Sequence, residues 1–132
     1  MYVSADGTPL DGYPLDRKYA NKGEKCGDGE NIFPPIAWKD VPKDAKSLAL
    51  IVYDSDAAKD REPNELETER KSWVHLIAWN IPPEFEGLNN STLNKVNLGM
   101  NSWKELGYNG PCPPSGKHHY HFKLYALKKE LS

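Results

Sequence analysis

An all-β domain is what the chain predicts, on three observations. Eleven prolines and ten glycines punctuate it at short intervals, as turns between many strands require. Its apolar runs have strand length, and none carries a helical stripe. Strands do not alternate with helices, which excludes a doubly wound α/β architecture. The 132 residues suit one domain, 1–132, and are enough to bury a core without metal or disulfide. A few short helices at most are expected beside the strands.

Residues 36–38, Ile-Ala-Trp, form a short strand. Ser47 to Tyr53, ending in Asp54, is apolar at both parities and so reads as a central strand covered on both faces. Residues 59–71 are charged, hold Leu66 as their one apolar residue, and read as a solvated loop. Trp73 to Asn80 is a second strand apolar on both faces. Residues 84–106 look irregular, with turn formers and scattered Leu, Val and Met. His119 to Leu127 alternates, so that Tyr120, Phe122, Leu124 and Ala126 share one face, and His119, His121 and Lys123 share the other.

The formal net charge of −2 offers no basic field for a nucleic-acid backbone. The longest apolar run, Leu48 to Tyr53, is six residues, far too short for a transmembrane helix. The N-terminal residues lack the basic start and apolar stretch of a secretory signal, so a cytoplasmic location is expected. In that compartment Cys26 and Cys112 are expected to be free thiols, with a disulfide between them as the alternative. Their spacing matches no zinc knuckle, and no metal or cofactor is expected. The overlapping sequons in Asn89-Asn90-Ser91-Thr92 read as turn residues.

The chemistry-bearing residues fall at the ends of the long strands and, for one histidine, inside the second. Asp54 and Asp56 close the first long strand, two apart, where acids commonly serve turns. His75 lies inside the second long strand among apolar neighbours, so its imidazole is expected to be buried and hydrogen-bonded. His118 has the parity of Tyr120 and Phe122, so His75 and His118 are site candidates, and His119 and His121 face away. Gly107 to Gly116, Gly-Tyr-Asn-Gly-Pro-Cys-Pro-Pro-Ser-Gly, is a stiff loop that leads into His118 and lowers the entropic cost of holding a ligand. No serine, threonine or cysteine stands out beside an obvious base, so an enzyme is not expected; a hydrolase using the Asp/His cluster is the weakest of the readings.

Together these segments resemble the phosphatidylethanolamine-binding protein family, in its bacterial Raf-kinase-inhibitor-like branch. The resemblance runs from about Asn21 to Leu127. It rests on Gly29-Glu-Asn-Ile-Phe-Pro-Pro35 with Trp38 and Val41-Pro42, on Lys46 to Ala57, and on Trp73 to Pro82. It continues through Asn101-Ser-Trp103, Gly107 to Gly116 and His118 to Leu127. It implies a β-sheet core of Greek-key character with one pocket for phosphate, phosphorylated headgroups or similar anions. Asp54 and Asp56 match the acids of the family's D-P-D-A-P signature, and His75 the histidine of its tryptophan-histidine strand. Gly110, Pro113 and Pro114 match the G-x-x-P-P wall, and His118 and Tyr120 the H-R-Y end. Carboxylates beside the imidazoles can orient or charge them, so that they donate to an anion.

The chain departs from the pattern at Ser55 and Ala58, where the family has proline, and at His119, where it has arginine. Cys26 is one residue out of register, and residues 59–71 look like an insertion near the pocket. The chain also stops after its last clear strand, where family members continue into a segment with a helix near the pocket. The expected function is binding of a small anion or phospho-headgroup in a regulatory role. Inhibition of a kinase or protease partner through surface contacts is the alternative, and a homodimer is a candidate assembly.

Overall fold

A computed structural model describes residues 2–5, 8–9, 16–23, 27–55, 73–112 and 119–132. They hold ten strands: β1 (Tyr2–Ala5), β2 (Thr8–Pro9), β3 (Lys22–Gly23), β4 (Gly27–Asp28), β5 (Ile36–Lys39), β6 (Ser47–Asp54), β7 (Trp73–Ile81), β8 (Gly87–Leu88), β9 (Asn97–Leu98) and β10 (Tyr120–Leu127). The helical pieces among them are 3₁₀ turns at Arg17–Tyr19 and Leu93–Lys95. The fold is mainly β, as the punctuation and periodicity predict.

One sheet has the order β2-β1-β5-β8, a second β10-β6-β7-β9, and β3 pairs with β4. Every described pairing is antiparallel. In the second sheet the last strand returns to lie beside the first, a Greek-key order. One buried cluster joins both four-stranded sheets: Ile36, Trp38 and Leu88 from the first, and Leu48, Leu50, Val52, Leu76, Ala78 and Ile81 from the second. Phe33 and Leu93 complete it. Each large aliphatic chain fully buried there contributes about 2 kcal/mol relative to exposure. Trp38 keeps its indole satisfied by donating to the Phe85 carbonyl at 2.8 Å.

The three long strands fall where expected. β6 runs one residue further than Tyr53, β7 one beyond Asn80, and β10 begins at Tyr120 instead of His119. Residues 84–106, expected to be irregular, contain β8 and β9, because two-residue strands carry too few side chains for a periodicity to show. The 59–71 segment lies outside the described residues.

β10 pairs with β6 over its whole length: Tyr120 faces Asp54, Phe122 faces Val52 and Leu124 faces Leu50. Directly opposed residues share a face, so Tyr120, Phe122, Leu124 and Ala126 point to the core side and His121 and Lys123 to the other. The β6–β7 register shifts twice. Opposite Ala49, β7 carries both Trp79 and Asn80, with Asn80 at φ 51°. Between Val52↔Leu76 and Tyr53↔Val74, His75 has no cross-strand counterpart. Both are β-bulges, which bend a strand and re-aim a side chain.

Candidate functional site

The second bulge builds the site. It gives β7 two consecutive buried residues on one side, His75 at 2% and Leu76 at 0% exposure, where strict alternation would put them on opposite faces. Leu76 stays in the core, and the imidazole is turned into the same side at the end of the sheet. Asp54 lies opposite both Trp73, two residues before His75, and Tyr120, and is only 5% exposed.

Loop residues grip the bulge. His75 Nδ1 lies 2.7 Å from the Asn109 carbonyl oxygen. A carbonyl only accepts, so Nδ1 carries the hydrogen and donates. The His75 carbonyl, freed from the strand ladder, accepts from the Asn109 N–H at 3.1 Å. Asn109 therefore holds the main chain and the side chain of His75 together.

Aromatic rings wall the imidazole. Trp103 meets it edge to face at 5.0 Å and Tyr120 at 5.5 Å, and Trp73 packs against Trp103 at 5.4 Å. Trp103 sits on a tight turn built by the buried side chain of Asn101, whose Oδ1 accepts from the N–H groups of Trp103 and Glu105 and whose Nδ2 donates to the Gly107 carbonyl. Ser102 clamps the turn to β7. Its N–H donates to the Val74 carbonyl at 2.9 Å, and its hydroxyl accepts from the Val74 N–H at 2.8 Å.

Residues 108–112 form the adjoining wall, seated on the 19–31 segment. The Tyr108 hydroxyl donates to the Tyr19 carbonyl at 2.8 Å, and its ring packs edge to face on Phe33. Burial pushes its pKa well above the ordinary tyrosine value. Gly110 is buried against main chain: a Cβ there would overlap the Tyr19 carbonyl oxygen. Glycine is thus required for close backbone approach at this point. The Pro111 carbonyl accepts from the Asn21 N–H at 2.9 Å. Cys112 is disulfide-bonded, which corrects the expectation of free thiols. That expectation came from a compartment rule, which carries no information on which chain segments meet. The other cysteine of the sequence, Cys26, lies outside the described residues.

Of the predicted site residues, Asp54, His75, Gly110 and Tyr120 come together. Asp56, Pro113, Pro114 and His118 lie outside the described residues, and with them the expected meeting of His75 and His118. His121 faces the opposite side of the sheet, stacked on Tyr53 at 4.9 Å and 2.9 Å from the Ser55 hydroxyl. His119 is exposed. Lys123 lies over the Tyr53 ring on that same side, and a hydrogen bond to Tyr53 raises its pKa. Among the described residues no three His, Cys, Asp or Glu side chains are grouped to hold a metal ion. Sequence reasoning did not single out Trp103, Asn109 or Asn31 for the site. Asn-Ser-Trp is a turn signal ending in an aromatic, but nothing local says which strand the ring will meet.

The model of the family described as phosphatidylethanolamine-binding protein matches residues 4–132. The chain belongs to that family. Relatives include a protein named UPF0098 from Methanothermobacter thermautotrophicus, 46% identical over 110 residues that cover 79% of this chain and 66% of the relative. Another of that name, from Chlamydia trachomatis, is 37% identical over 121 residues, 92% of this chain and 73% of the relative. The chain thus spans about two thirds to three quarters of the length of these relatives. A crystal structure of a phosphatidylethanolamine-binding protein homologue from C. trachomatis superposes with a TM-score of 0.81 at 36% identity, covering 99% of this chain and 77% of that one. The crystal structure of E. coli YbcL, described as a new member of the mammalian PEBP family, gives 0.80 at 31% identity, covering 99% and 79%. No helix among the described residues is long and apolar enough to cross a membrane.

Proposed function

We propose that this member of the phosphatidylethanolamine-binding protein family binds a small anion, a phosphate or a phosphorylated headgroup, in a regulatory role. The observation that carries the reading is the imidazole of His75, buried at a bulge with Nδ1 committed to a main-chain carbonyl. Beside it lie the rings of Tyr120 and Trp103, and Asp54 is the cross-strand partner of Tyr120. Protonated, such an imidazole donates from Nε2 to an anion. The aromatic walls lower the local dielectric, which strengthens that contact.

Binding, not turnover, is the chemistry this arrangement suits. The Ser55–His121 pair, which has the distance of a nucleophile and its base, is exposed on the far side of the sheet from Asp54 and His75. The disulfide at Cys112 favours an oxidising compartment over the cytoplasm expected from the sequence. Titration calorimetry with phosphate, sulfate and phosphoethanolamine tests the reading. At least one should bind wild type and lose about tenfold or more in affinity to His75→Phe, the equivalent of one charge-assisted hydrogen bond. Wild-type protein that takes up none of the three would end this reading.

A further inference from the structure

The peptide unit between Asn109 and Gly110 has both of its polar groups engaged. Its C=O accepts from His75 Nδ1 at 2.7 Å, and its N–H donates to Asn31 Oδ1, also at 2.7 Å. The side chains lie on opposite sides of one planar, resonance-coupled group. An acceptor on the N–H increases the negative charge on the C=O, so the two bonds reinforce one another. Asn31 thereby acts on an imidazole that it does not touch.

Asn31 is built for this place. Its main chain has φ 54°, a left-handed conformation that asparagine tolerates better than other side-chain-bearing residues. Its N–H donates to the Ala20 carbonyl at 2.8 Å, which fixes the residue on the 19–21 segment. That segment is also what Gly110 packs against, so the wall and its support come from one contact. The Asn31 Nδ2 completes the link, 3.4 Å from Asn109 Oδ1.

We infer that Asn31 is a positioning residue for the anion site: through the Asn109–Gly110 peptide it fixes the orientation of the His75 ring and its Nδ1–H tautomer, so that on protonation Nε2 is the nitrogen that donates to the ligand. This inference rests on the proposed anion-binding function for its consequence, but not for its first readout. An acceptor partner at one ring nitrogen keeps the hydrogen there, sets the tautomer and raises the basicity of the other nitrogen. Without Asn31 the Asn109 carbonyl is a poorer and less fixed acceptor, and the ring can turn or change tautomer.

The test uses Asn31→Gly, which accepts the left-handed backbone and removes the amide, and Asn31→Asp, which keeps an oxygen for the Gly110 N–H. Ring ¹⁵N shifts of His75, recorded at a pH where the ring is neutral, should show the Nδ1–H form in wild type and Asn31→Asp. In Asn31→Gly they should show a mixture containing the Nε2–H form. Phosphate affinity by calorimetry should fall about tenfold in Asn31→Gly and by no more than about threefold in Asn31→Asp. An unchanged tautomer in folded Asn31→Gly overturns the inference. If that variant does not fold, a mixed tautomer in folded Asn31→Asp overturns it. Failure of wild type to bind phosphate removes the functional consequence alone, because the tautomer comparison still decides what Asn31 does to His75.

Discussion

The two bulges of β7 use one backbone device for opposite ends. At the lower one, Asn80 turns outward in a left-handed conformation and its amide makes a reciprocal pair with Leu131, donating to its carbonyl at 2.8 Å and accepting from its N–H at 2.7 Å. Ser47 adds a bond to the Lys129 carbonyl, so the residues after β10 are tied across the foot of the sheet. At the upper bulge, His75 turns inward, and the loop that meets it comes from 34 residues away. The lower bulge fastens exposed chain that water could also satisfy. The upper one places a polar ring where water is excluded, and so every group on it needs a partner. The same irregularity is therefore a tether where it faces solvent and a site where it faces the core.

Experiments on the support of the upper bulge should break the molecule hardest. Gly110→Ala forces a methyl into the Tyr19 carbonyl and should cost about 3 kcal/mol in urea unfolding, the upper range of overpacking. A loss below about 1 kcal/mol would show that the wall can move away from the 19–21 segment. Reduction of the Cys112 disulfide with a dithiol should lower stability by about 2–4 kcal/mol, read as a drop in the urea midpoint. His75→Phe keeps the packing but leaves the Asn109 carbonyl without its donor, and should cost about 2 kcal/mol.

The lower bulge should be the softer target. Asn80→Ala loses the pair with Leu131 and keeps an unfavourable φ, about 1–2 kcal/mol together. Asn80→Gly removes the strain and should cost less than half as much; equal losses would assign the whole effect to the hydrogen bonds. The smallest effect belongs to pH. Tyr108 has its pKa raised by burial, so above the ordinary tyrosine range the folded state keeps a proton that the unfolded state has lost. Stability should be unaffected by this group below about pH 9, and should fall above about pH 10 by at most 1.4 kcal/mol per pH unit. Tyr108→Phe should flatten that alkaline slope in thermal melts, at the cost of the bond to Tyr19.

Strand identity was legible because the signal is local. SLALIVY and WVHLIAWN announce strands by their length and apolar content, but the cover expected on both faces is uneven: Ala49, Ile51 and Tyr53 of β6 and Val74, Ile77 and Trp79 of β7 are only half-buried. HYHFKLYAL carries its own alternation, so parity alone separated Tyr120 from His121 correctly. The same rule would have put His75 and Leu76 on opposite faces. The bulge, a property of how β7 pairs with β6, turns both inward. Gly110, matched to the G-x-x-P-P wall by its motif, lies against the Tyr19 carbonyl, a contact no local signal names.

What the residues by themselves determined, then, is the β class, the long strands, their inner faces and the family to which their motifs belong, since each depends on spacings of a few residues. Tertiary structure alone decided the bulge at His75, the Trp103 wall, the bonded state of Cys112 and the bridge from Asn31 to the Asn109–Gly110 peptide. That bridge joins residues 79 positions apart. Contacts at such separation leave no periodic trace in the chain, because they are fixed by which sheet edges and loops the buried core brings side by side.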